Sequence, residues 1–207
     1  MVCHGQHGLL YPLRLGDEVN FRLTYDGPLK AASQSDTRRV EKHAIRLVLS
    51  RQLDELFQLR SELIDHEFAE FDKGIHPGIE RGGHMFLALV REKLNLVCDL
   101  DILFLRRDKP GNLITPGGDL DNRIKVLFDA LRIPQDDNEV RNLLPPKGMI
   151  CCLTENDSLI TGFRVITDRL LEPANSEAEE NNVRLIINVE VKATKLTAEN
   201  MAYFSHF

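Results

Sequence analysis

Asp119 and Asp121 stand one residue apart in "GGDLDNRIKVLFDAL" (117–131), with Asn122 next and Lys125 four residues beyond Asp121. Like charges at that spacing repel unless a cation or open solvent relieves them. Hard carboxylate oxygens suit Mg2+ or Mn2+, ions that also bind substrate phosphate. From Asn122 onward, Ile124, Leu127, Phe128 and Leu131 recur at helical spacing, so this stretch reads as an amphipathic helix anchored by its apolar face. Asp121 sits where an N-cap would stand, and Lys125 comes round on the same flank one turn later. Two carboxylates and an ammonium at an exposed helix start suit a metal-and-phosphate site. An acidic turn with a capped helix is the other reading. Asp-Leu-Asp occurs again at Asp99 and Asp101, inside an apolar run, where both carboxylates share one strand face and read as a solvent-facing pair.

The elements that must position these residues follow from hydropathy patterning. "VNFRLTY" (19–25) alternates, with Val19, Phe21, Leu23 and Tyr25 on one face, and reads as a half-buried strand closed by the Asp26-Gly27-Pro28 turn. A helix is expected over about 37–57, from helical spacing after the capping residues Ser35, Asp36 and Thr37. Residues 61–92 are less regular: "SELIDHEFAEFDKG" suggests a short helix and "IHPGIERGGH" a loop. A second strand is expected over 94–106, then a Gly- and Pro-rich loop, then the helix from Asn122, which Pro134 stops. "QDDNEVRNLLPPKG" (135–148) reads as an acidic loop. Strands follow at 159–168 and 183–191, joined by the solvated "EPANSEAEENN" (172–182). The expected fold is α+β, in the order β-α-β-α-β-β, with helices packed on a mixed sheet in a single domain over 1–207.

Composition narrows the function classes. The 43% hydrophobic and 28% charged content is that of an ordinary globular chain. No apolar run approaches the roughly 20 residues of a membrane span, and "MVCHGQHGLL" lacks the pattern of a signal peptide. No membrane association and a cytoplasmic address are therefore expected. The four cysteines form no C-x-x-C, and Cys3, His4 and His7 read as a frayed terminus rather than a metal grip. The net charge of −6 leaves any nucleic-acid contact to local patches. Arg38, Arg39, Lys42 and Arg46 lie on or near one helix and could track a phosphate backbone; a solvated helix face is an equal reading.

With "DLDNRIKVLFDAL" and the downstream "ENDSLITGFRV" in view, the chain resembles the RusA-type Holliday junction resolvases. That family shares a D-x-D-N-x-x-K-x-x-x-D-A-L core, then an acidic pair, then a strand. The resemblance implies a Mg2+-dependent structure-selective endonuclease that cleaves phosphodiesters at branched DNA as a homodimer. Carried over, Asp119 and Asp121 would bind the metal and Lys125 would assist cleavage, with Asn122 orienting Asp121 or a bound water. A third aspartate completes the set. Asp157 leads directly into a strand, where geometry is rigid, and is preferred; Asp137, in the acidic loop, is the alternate. Residues 61–92 and 135–154 then read as insertions. Two other functions compete. One is a non-catalytic DNA-binding or regulatory module that keeps the fold. The other is a D-x-D glycosyltransferase, which the lack of a parallel βαβ series disfavours.

Overall fold

In a computed structural model of the chain, the described residues are 19–29, 35–60, 63, 78–107, 120–144, 148–173 and 182–204. Asp119, Cys3, His4 and His7 lie outside them, as do most of the expected short helix, the Gly- and Pro-rich loop up to Leu120 and much of the 172–182 connection.

The fold is α+β, and it carries more strands than the hydropathy pattern predicts. In chain order the elements are β1 (Val19–Pro28), α1 (Ser35–Leu59), β2 (Ile79–Arg81), β3 (His84–Val90), β4 (Leu96–Arg106), α2 (Leu120–Leu131), β5 (Ile150–Thr154), β6 (Ile160–Arg169) and β7 (Asn182–Ala193). The expected order β-α-β-α-β-β is thus corrected by three further strands, β2, β3 and β5.

A four-stranded sheet runs in the order β1-β7-β4-β6. β7 is antiparallel to both β1 and β4, while β6 is parallel to β4. Alternation explains its stability. Cys98, Leu100, Ile102 and Phe104 of β4 sit opposite Val191, Val189, Ile187 and Leu185 of β7, and all are buried. Their neighbours face outward, which is the one-sided burial that makes a strand legible. β1 runs on through Asp26, Gly27 and Pro28 instead of turning there. Pro28 is tolerated at this position because β1 is an edge strand.

A three-stranded sheet, β2-β3-β5, has β2 antiparallel and β5 parallel to β3. It lies between two apolar clusters. Leu87, Leu89, Cys151 and Leu153 face the main core, while Phe86, Ala88, Ile150 and Cys152 face a smaller one with Ile133 and Val140. Both faces are covered, so "FLALV" and "ICCLT" show no polar alternation. Gly82 and Gly83, with φ of 54° and 80°, form the tight turn between β2 and β3, a conformation that favours glycine in hairpins. The segment 135–154, expected as an insertion, therefore supplies a core strand, and "IERGGH", expected as a loop, is a hairpin.

α1 buries Ile45, Leu49, Leu53 and Phe57 at four-residue intervals, the spacing of one helical face. It also closes one edge of the larger sheet. The Gln52 side-chain amide accepts from the Thr24 N–H at 2.9 Å and donates to its carbonyl at 2.7 Å, as a neighbouring strand would.

Candidate functional site

α2 buries Ile124, Val126, Leu127, Ala130 and Leu131, so its flank is held rigidly against the core. The helix begins at Leu120, not Asn122, which puts Asp121 inside the first turn rather than at the cap. Lys125 Nζ donates to Asp121 Oδ2 at 2.6 Å, and each side chain is 61% exposed. Asn122 is exposed beside them. The first turn also presents the positive end of the helix dipole, which favours an anion such as phosphate. Phe128, two turns on from Asp121, meets Phe163 of β6 edge to face, with ring centroids 5.1 Å apart. This contact ties the helix to the margin of the larger sheet.

The two candidates for a third carboxylate differ in their bonding. Asp157 opens a short 3-10 turn at Asp157–Leu159 and is exposed. Asp137 Oδ1 accepts from the Gly82 N–H at 2.9 Å and so pins the β2–β3 hairpin. Both follow the far end of α2: Arg132, just past the helix, bridges Thr154 at the end of β5. The eleven residues from Asp121 to Arg132 span about 16 Å along a helix axis. Among the described residues, no three His, Cys, Asp or Glu side chains are grouped to hold a metal ion.

The second Asp-Leu-Asp behaves as a structural pair. Asp99 accepts from Lys192 Nζ at 2.8 Å and from Thr161 Oγ1 at 2.7 Å. Hydrogen bonding to Lys192 and Thr161 holds its carboxyl below the ordinary range. The register shifts by one residue between Cys98 and Asp99, a bulge that brings Thr161 to Asp99. A Cβ on Gly162 would come 2.9 Å from Asp99 Oδ1, so a larger residue there would displace that carboxylate. Asp101 remains exposed.

The proposed DNA-tracking residues of α1 divide. Arg38 and Arg39 are half-buried. Lys42 turns inward, 3.1 Å from Asp129 Oδ2 and 3.6 Å from Glu139 Oε2. Arg46 is buried and donates to the carbonyls of Asp129 at 2.6 Å and Arg132 at 3.3 Å, capping the negative end of α2. Arg132 completes the group with Asp129 at 2.9 Å and Glu139 at 3.1 Å. Lys42 and Arg46 are thus structural cations, a correction to the solvated basic face that spacing suggested. Asp129, the aspartate of the D-A-L ending, belongs to this lock. The lock joins residues more than 80 positions apart, and no local pattern announces it.

Comparison with family models, with curated proteins and with solved structures finds no match for this chain.

Proposed function

We propose that the chain is a metal-dependent endonuclease of the RusA type, acting on branched DNA from the first turn of α2. The contrast between the two Asp-Leu-Asp copies carries the reading. Asp99 is held by Lys192 and Thr161 and its side chain is 36% exposed, whereas the Asp121 side chain, beside Lys125, is 61% exposed. Asp121, with Asp119 in the same motif, would hold Mg2+ or Mn2+ through hard carboxylate oxygens, a donor set that fits these ions. Asp157 and Asp137 both follow the far end of α2, Asp137 committed to the Gly82 N–H and Asp157 without a hydrogen-bond partner among the described residues, so neither is assigned beside Asp121. Bound there, the ion would supply a nucleophilic water and offset phosphate charge.

The chain's own groups perform the rest. The helix start, with its dipole and first-turn N–H groups, would receive the phosphate. Lys125, on the same flank as Asp121, would place its ammonium where negative charge grows on the phosphate or leaving oxygen. Asn122 orients Asp121 or a bound water by hydrogen bonding.

The test is incubation of the protein with a labelled four-way junction or linear duplex in Mg2+, beside Asp121→Asn and Lys125→Met. Paired nicks on the junction alone are expected, with at least a ~100-fold loss in each variant, the scale of removing one transition-state charge partner. Asp157→Asn and Asp137→Asn should leave cleavage near that of the unsubstituted chain; a loss matching that of Asp121→Asn would identify a third ligand. Binding without cutting would favour the non-catalytic module. Absence of any DNA binding would defeat both readings.

A further inference from the structure

The two margins of the larger sheet are treated differently. Gln52 covers the β1 edge at Thr24. The outer edge of β6 pairs with no described strand. Along it lie Phe163, 59% exposed, Ile166, 41% exposed, and Leu171 just beyond, 85% exposed. A ten-residue strand whose outer backbone groups meet no described strand, and which carries exposed apolar side chains, is a template for another strand.

We propose that this edge binds β6 of a second copy of the chain, antiparallel about a two-fold axis through Ile166. The sequence of β6 argues for this occupant, because it is complementary to itself in one register. With Ile166 facing its own copy, Arg164 falls opposite Asp168, Phe163 opposite Arg169, and Val165 opposite Thr167. Antiparallel pairing sets directly opposed residues on the same face. The two-fold repeats every contact, giving two Arg–Asp pairs, two cation–aromatic contacts and two β-branched pairs. In the single chain the Arg164 and Arg169 side chains have no hydrogen-bond or ion-pair partner among the described residues, and Asp168 accepts only from the adjacent Arg169 N–H. The pairing joins two four-stranded sheets into one of eight. Because Phe128 rests on Phe163, it also draws the two α2 helices toward the axis. The interface stands on the strand's own residues and does not depend on the chain being a nuclease.

Light scattering of the full chain reads the result without any activity. The expected mass is twice the 23.6 kDa of one chain. Ile166→Lys, an exposed position where a charge blocks edge pairing, should give a monomer with an unchanged circular dichroism spectrum. Arg164→Asp and Asp168→Arg should each weaken the dimer about tenfold or more by opposing like charges. Mixing those two singly substituted chains sets acid against base at both positions and should restore a dimer, as should the double exchange in one chain. A wild-type chain monomeric at micromolar concentration, or a dimer indifferent to Ile166→Lys, would overturn the assignment. A dimer that weakens in both single variants but is not rescued by mixing would overturn the register.

Discussion

His43 and His84 meet edge to face in the interior, ring centroids 5.2 Å apart, with His84 stacked on Phe86. None of their four ring nitrogens has a hydrogen-bond partner among the described residues. Burial, helped by Arg46 and His84, pushes His43 down to about 4 from an ordinary 6.5. The folded state therefore prefers the neutral ring. Its contribution is complete above pH 6.5 and is lost as pH falls from 6.5 toward 4, where the unfolded chain takes up a proton that the folded chain resists. Urea titrations at pH 7 and pH 4.5 should differ by on the order of 2 kcal/mol from this residue. His43→Phe should flatten that part of the slope. Asp121 and Lys125 stand apart from this interior chemistry, since both are exposed and their bond contributes only a few tenths of a kcal/mol, roughly 0.3–0.5, to the helix. Under the proposed function, substituting either should change cleavage with little change in stability, which separates a functional pair from a structural one.

At the scale of the element, α2 is fastened more firmly at its end than at its beginning. Arg46 caps the last carbonyls, and Asp129 and Glu139 share Lys42 and Arg132. Removing Asp129 leaves two mostly buried cations facing Glu139 alone. Asp129→Ala should cost about 3 kcal/mol, the scale of breaking a buried pair, as measured by urea unfolding. A loss of cleavage in that variant at a temperature where it stays folded would show that the lock also positions the first turn. The hairpin of β2 and β3 is held in the same polar region through the Gly82 N–H and Asp137. Segments that look irregular in isolation are thereby fixed by one another.

At the scale of the whole molecule, two cores enclose the small sheet, and three thiols lie within them. Cys98, Cys151 and Cys152 are buried and unbridged, and burial pushes each thiol up to about 12. Thiolate chemistry is suppressed as long as the fold persists. A thiol reagent should leave these three unmodified in the native protein, and their labelling should rise with urea in step with loss of secondary structure. Labelling that precedes global unfolding would mean that the small sheet opens separately. The larger sheet carries the opposite feature, a margin at β6 that no described strand pairs with, and that asymmetry is what the proposed second chain would use.

The alternation of β1, β4 and β7 was legible because each has one face on the core and one toward solvent. The helical face of α2 was legible for the same reason, and the Asp121–Lys125 pair because residues four apart on a helix must meet. β3 and β5 were hidden, since a strand buried on both faces loses its alternation, and a five-residue apolar run does not declare its partner. The fates of Lys42, Arg46 and Asp129 were hidden too. Their charges read alike in the chain, and only the docking of α1 against the end of α2 turned them inward while leaving Asp121 outside. Local spacing determines which side chains share a face; which face is buried, and against what, is settled by contacts between residues distant in sequence.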